Sequence, residues 1–261
     1  MSGSIHPTAV VDSRADLADG VELGAYATVG PGVRLGEGVV LRAHAHVTGN
    51  TEVGAESVVF PFASIGERPQ DQKYRGEDTR LILGERNQLR EYVTVNPGTA
   101  SGGGVTAIGD DNLLMAGAHV AHDCRIGNRV ILSNQVMLAG HVQIEDYAVI
   151  EASTGIQQFL RIGESAFVGA ISGVIQDVSP FCFVHGYPAR VLKINRIGLE
   201  RRGWGAERIA DVERAFRLVF RSKLSPDEAF ARIRTELPDS KDAQRMLTFL
   251  EASERGFARA R

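Results

Sequence analysis

Only two cysteines, Cys124 and Cys182, occur in the 261 residues, so no disulfide framework is implied and a reducing compartment fits. Aromatic residues make up just 7%, which leaves the core to Val, Ile, Leu and Ala. No apolar run is long enough to span a bilayer. Asp12, Arg14 and Asp16 follow closely on the start with no apolar signal segment before them, so a cytoplasmic protein without membrane insertion is expected. Neither sign of charge dominates: a net charge of −3 excludes a surface that is basic all over, and with it nucleic acid as a partner.

What the chain does have is a repeat. From Ile5 to Ile65 every sixth residue is aliphatic, and the residue four places after each is usually small. Helices repeat near 3.6 and half-buried strands at 2, so a period of six fits neither. It suits a short strand and a tight turn, with glycine relieving the bends. Three such units make a triangular coil of eighteen residues, and stacked coils form a solenoid of parallel strands with an aliphatic centre. The pattern is interrupted by a polar loop at Glu67–Thr79 and resumes in phase at Leu83, Leu89 and Val95. A glycine-rich loop over 97–104 shifts the phase by one. Strict sixes then run from Ile108 to Val174, and Pro180 ends them. No helix follows that second loop, so it reads as a flexible loop and not as a phosphate cradle.

Two parts are expected: a mainly β prism over 1–190 and a small α-helical C-terminal domain over 191–261. Helices are predicted near 192–202, 206–221, 226–236 and 240–256, the third opened by a capping box at Ser225 and Glu228. The tail carries 16 Lys and Arg against 11 Asp and Glu. The prism carries 13 against 21. A basic tail on an acidic prism is either a solvated helix face or a surface for phosphate.

Residues eighteen apart stack on one face, about 4.8 Å apart. Gly140 therefore lies over His122 and Gln158 over Gly140, with His141 beside them and His119 three residues before His122. His122 and Asp123 are expected to point outward at a corner and Cys124 inward. An imidazole there can act as a general base, a neighbouring carboxylate can orient it, and the Gly140 N–H can bind an oxyanion. The three histidines could instead be ordinary surface residues. A zinc site is the other alternative, set aside because no carboxylate or thiolate is evidently aimed at them. A flat prism face cannot enclose a substrate, so a neighbouring subunit has to supply the other wall, and a triangular prism favours a cyclic trimer.

At these residues the chain resembles a known family. The six-residue period is similar to the left-handed parallel β-helix of the hexapeptide acyltransferases. More specifically, Phe62-Ala-Ser-Ile-Gly66, Gln70-Asp71-Gln72-Lys73-Tyr74, Asp111-Asn-Leu-Leu-Met115, His119-Val-Ala-His-Asp-Cys124, Leu138-Ala-Gly-His-Val142 and Leu199-Glu-Arg-Arg-Gly203 resemble the acyl-[acyl-carrier-protein]–UDP-N-acetylglucosamine O-acyltransferases, which begin lipid A synthesis. The resemblance covers almost the whole chain. It implies a homotrimer that moves a 3-hydroxyacyl chain from acyl carrier protein to the sugar's 3-position, without cofactor or metal. It makes His122 the general base, Asp123 its support and the Gly140 N–H the oxyanion donor. Gln70, Asp71 and Lys73 would position sugar and donor, and His119, His141 and Gln158 would line the groove. Asn195, Arg201 and Arg202 would meet the nucleotide, and Ala170 would bound the acyl chain. His122 and Ala170 are expected on different faces, so that a groove joining them runs between subunits.

Three departures concern the acceptor. Gln157 stands where the family usually has His; Val95-Asn-Pro-Gly-Thr99 replaces Ile-His-Arg-Gly-Thr; and His185-Gly-Tyr-Pro-Ala189 replaces a Gln-Gly-Asn segment. Some members acylate a 3-amino sugar nucleotide, which these changes keep open. A noncatalytic trimeric scaffold or carrier-protein binder is the reading from another class. An acetyl-CoA-dependent sugar acetyltransferase of the same fold fits the motifs less well.

Overall fold

The structure is a computed structural model and describes residues 4–260. Short strands, most of them an outward residue followed by a buried aliphatic one, stack into three sheets of nine, eight and ten strands, parallel except for the last strand of the third. The first sheet runs from Val10–Val11 to Gly173–Val174, the second from Asp16–Leu17 to Arg161–Ile162, and the third begins at Glu22–Leu23. Successive turns of the chain visit them in that order, giving a left-handed parallel β-helix. Inside, Leu41, Val59, Leu89, Leu114, Leu132, Ile150 and Val168 form one fully buried column. The corners bring in residues with left-handed backbone, among them Asp123, His141 and Phe159.

The register shows what the two loops do to the lattice. Arg125 pairs with Ala107, eighteen residues back. Leu83, however, pairs with Val53, thirty back, so the first loop throws out twelve extra residues. Ile108 pairs with Leu83, twenty-five back, so the second throws out seven. Both leave the prism between a first-sheet strand, Ser64–Ile65 or Thr94–Val95, and the next second-sheet strand. They therefore emerge at the same corner.

The end of the prism differs from the sequence reading. Pro180 does not end the strands: Cys182–His185 still pairs in parallel with Phe167–Val168, and Arg190–Ile194 folds back against it antiparallel. Val191 and Ile194 face inward from that returning strand, where a helix had been expected from 192. Among the described residues four helices follow: α1 (Arg196–Arg201), α2 (Ala206–Phe220), α3 (Pro226–Glu236) and α4 (Lys241–Glu251), the last ending before 256. The capping box is present, Ser225 and Glu228 each accepting the other's backbone N–H. The tail is fastened to the last coils by Arg161, whose Nη1 donates to the Ala252 carbonyl at 3.2 Å, and by Ser253, whose hydroxyl donates to Asp177 at 2.8 Å.

Candidate active site

The corner that throws out both loops also holds His122. The chain leaves the first sheet at Val120, turns through Ala121-His122-Asp123-Cys124 and enters the second at Arg125. His122 Nδ1 lies 2.8 Å from Asp123 Oδ2, and the imidazole is 18% exposed. An ionised carboxylate can only accept, so the Nδ1 proton points at Asp123 and the Nε2 lone pair is left free.

Asp123 sits at the corner as expected but is not exposed, because the second loop covers it. Its side chain is 1% exposed. Its φ of 61° is shared with the same corner position in other coils, such as Tyr92 and Phe159, whose side chains are exposed, so it is the second loop that buries the carboxylate. There Oδ1 accepts the Thr99 N–H at 2.9 Å and Oδ2 accepts the Thr99 hydroxyl at 2.6 Å. The Asp123 N–H donates to Thr106 Oγ1 at 2.7 Å. Gly102, at the end of a short 3₁₀ turn, packs so closely on the carboxylate that a Cβ there would sit 2.0 Å from Cγ. The loop read as flexible thus supplies the donors that a buried carboxylate needs.

Gly140 answers a packing demand of the same kind. A Cβ at this position would lie 2.6 Å from His122 Cε1 and 2.8 Å from Nε2. Among the described residues its N–H has no hydrogen-bond acceptor, a condition it shares with the same turn position in the flanking coils, His122 and Gln158. What sets Gly140 apart is the missing side chain. His141 meets the His122 ring edge-on and is stacked on Phe159 at 4.3 Å. Its Nε2 stands 3.7 Å from Asp123 Oδ2. Burial lowers the pKa of both His141 and His119, and His122 lowers each further, while Asp123 and Asp71 oppose the shift at His141. His119 Nδ1 is 2.7 Å from Thr94 Oγ1. The Cys124 thiol is buried and pushed up to about 12, which removes it as a nucleophile at neutral pH.

His122, Asp123 and His141 place three ligand atoms within 4.8 Å of one another, so a carboxylate is aimed at the histidines after all. Its oxygens, however, already accept two hydrogen bonds from Thr99 as well as facing the imidazole. A cation would have to displace them. The arrangement therefore favours an oriented imidazole over a metal centre.

A groove of about 840 Å³ crosses the outer face of the first sheet. It starts at His122 and Gly140, with Gln70 of the first loop at its edge, and ends at Ile171, Ser172 and Tyr187. Its floor descends the column His119, Met137, Gly155, Gly173, which loses side chain step by step. At the far end a Cβ on Gly173 would strike the Tyr187 ring at 1.9 Å, so the absent side chain is what lets Tyr187 lie across the groove. Gln157, not Gln158, lines it. Asn96 does not: it is 4% exposed and donates to the Glu67 carbonyl at 2.9 Å, holding the root of the first loop. Within that loop Asp71 accepts the Lys73 N–H at 2.8 Å, and Asp71 is near enough to act on the charge of His141. Lys73 is exposed.

The relation of His122 to Ala170 also needs correcting. They sit at different corners, but these are the two edges of the same sheet, since Ala170 lies between Phe167–Val168 of the third sheet and Gly173–Val174 of the first. One chain's groove connects the two neighbourhoods. The remaining candidates are not brought to this corner. Asn195 caps α1, accepting from the Gly198 N–H and donating to the Ser165 carbonyl. Arg202 pairs with Glu164 at 2.9 Å, with its guanidinium 3.7 Å from the Tyr147 ring centre. Both attach to the corner at Glu164 and Ser165, between the second and third sheets. Arg201 is exposed. Arg202→Ala should therefore lower stability by about 1–2 kcal/mol by emptying the stack on Tyr147, Glu164 still facing Arg245 at 3.8 Å, while Arg201→Ala leaves it unchanged. Thermal melts of the two variants check this.

Reasoning from sequence did not place Met137, Thr99, Thr106 or Tyr187 at the site, and it singled out Gln157 as a departure from the family pattern. Met137 was within reach, being eighteen residues from His119 and paired with it. Thr99 was not, because the loop breaks the register that would have placed it.

The residues 177–258 match the family described as UDP N-acetylglucosamine O-acyltransferase, domain 2, and 106–140 match the bacterial transferase hexapeptide (six repeats). An acyl-[acyl-carrier-protein]–UDP-N-acetylglucosamine O-acyltransferase from Thermodesulfovibrio yellowstonii is 44% identical over 255 residues, covering 98% of this chain and 99% of the relative. Two solved structures align over 98% of this chain. The UDP-N-acetylglucosamine acyltransferase of Francisella novicida does so at 34% identity with a TM-score of 0.95, over 94% of its own chain. Its counterpart from Acinetobacter baumannii reaches 39% and 0.94, over 99% of its chain.

Proposed function

The chain belongs to the acyl-[acyl-carrier-protein]–UDP-N-acetylglucosamine O-acyltransferases, and from that premise we propose that His122 is the general base of an acyl transfer to the sugar's 3-hydroxyl. The observation that carries this reading is the Nδ1 contact to a buried carboxylate, which leaves Nε2 free above a glycine at the mouth of a groove. His122 Nε2 takes the hydroxyl proton as the sugar oxygen attacks the carbonyl of a 3-hydroxyacyl thioester on acyl carrier protein. The Gly140 N–H faces the oxyanion of the tetrahedral intermediate. As the C–S bond breaks, the imidazolium returns its proton to the departing sulfur. The thioester is a substrate, so the step calls for no cofactor. Asp123 holds the imidazole throughout.

His119 and Gln157 in the groove and the loop residues Gln70, Asp71 and Lys73 at its edge surround the acceptor in this reading, with His141 packed behind His122. Asn195, Arg201 and Arg202, attached to another corner, reach a nucleotide only across a subunit boundary, which fits a homotrimer. Among the described residues no helix is long and apolar enough to cross a membrane, and a cytoplasmic enzyme early in lipid A synthesis is in keeping with both substrates. The deciding experiment is an acyl-transfer assay with UDP-N-acetylglucosamine and a ladder of 3-hydroxyacyl carrier proteins. No transfer to oxygen with any donor would overturn the reading. A 3-amino analogue belongs in the same assay because Gln157, whose carboxamide both donates and accepts, lies in the groove.

Acyl length gives a second measurement. Ala170 adjoins the groove's far end, and one methylene in an apolar pocket discriminates about 10–200-fold. Ala170→Gly should shift preference toward longer donors and Ala170→Met toward shorter ones. If initial rates across the ladder move in neither variant, the chain end is set by another residue, with Tyr187 the next to change.

A further inference from the structure

We propose that Thr99 is a positioning residue of the transfer, acting through Asp123. The inference rests on the reading of His122 as general base. A carboxylate beside an imidazole orients it only if the carboxylate is itself fixed, and Asp123 is fixed almost entirely by the second loop. Thr99 donates to both oxygens, from its N–H to Oδ1 and from its hydroxyl to Oδ2. Oδ2 is the atom that faces His122. Thr99 is 3% exposed, so water does not replace a donor lost there. Gly102 presses on the carboxylate from the same loop, and Thr106 accepts the Asp123 N–H from the strand the loop leads into. The seven-residue insertion thus works as a clamp on the acid of the dyad, and Thr99 is its contact point. Nothing in the groove touches Thr99, so its effect falls on turnover and not on substrate affinity.

Thr99→Val keeps the shape and the N–H but removes the hydroxyl; Thr99→Ser restores it. One hydrogen bond to a charged group is worth about tenfold or more in rate when it acts on the reacting base. The expected result for Thr99→Val is a fall in kcat of about that size per folded molecule with KM for both substrates within about twofold, a lowered melting temperature because a buried oxygen loses its donor, and recovery of most of both losses in Thr99→Ser. Added to Asp123→Asn, the valine should cost almost nothing further, because the carboxylate it served is gone. Two results overturn the proposal: multiplicative losses in the double variant, or a Thr99→Val enzyme that melts earlier but turns over normally per folded molecule. Full activity in Asp123→Asn alone would strike at the dyad itself, and so separates a failure of the underlying reading from a failure of the clamp.

Discussion

Replacing His122 by alanine lowers turnover about 10²–10⁴-fold, the range that loss of a general base carries, while the melting temperature stays where it was. The second half follows from position. His122 occupies a corner outside the aliphatic column, and the strands it joins are held by Val120 and Ile126 inside. The cost to folding is confined to a buried carboxylate that loses one contact but keeps both bonds from Thr99. Steady-state rates with saturating donor and acceptor, next to a thermal melt, provide the check. A variant that retains more than about a third of wild-type turnover removes His122 as the base, since no base catalysis of ordinary size would then be missing.

Gly140→Ala should fall almost as far, about 10²-fold in kcat, for a purely steric reason. The new methyl would be 2.6 to 3.1 Å from Cε1, Nε2 and Nδ1, meeting the imidazole across its face. Gly140 has no positive φ, so alanine suits its backbone, and the ring has to give way. It cannot do so while keeping 2.8 Å to Asp123, because His141 stands edge-on beside it. A displacement of about 1 Å in a reacting atom is enough for a loss of this order. Substrate affinity should hold, as the groove beyond Gly140 is untouched. Rates measured alongside binding of the sugar nucleotide separate the two. Unimpaired turnover would mean that the ring has room to move without leaving its working position.

Much of this architecture was legible because a solenoid writes its geometry into the spacing of its residues. Each aliphatic six-step, from Val29 through Val174, became a strand with that residue inward, and the eighteen-residue column placed Gly140 against His122. The capping box at Ser225 was readable for a local reason, since its partners are three residues apart. What could not be read were features set by departures from the repeat. Asp123 is buried because a loop from an earlier coil folds over it and supplies its donors, and nothing in the neighbourhood of Asp123 encodes that. The hairpin of Cys182–His185 and Arg190–Ile194 was hidden because its inward residues Val191 and Ile194 are three apart, a spacing that also suits the start of a helix. Tyr187 takes its place in the groove from that hairpin, so it was lost with it.

The two insertions at one corner have different freedoms. Neither disturbs the lattice, because Leu83 and Ile108 re-enter on the same sheet as if nothing had intervened. Lengthening a surface loop is entropically cheap, each doubling costing only about 0.6 kcal/mol. The twelve-residue loop touches the dyad's groove through Gln70 and is rooted by Asn96, so the prism tolerates changes in it while the groove it borders does not. The seven-residue loop cannot be changed this way, since Thr99 and Gly102 are bound to the carboxylate. Changes in the first loop therefore fall on what the enzyme accepts, and changes in the second on how fast it turns over.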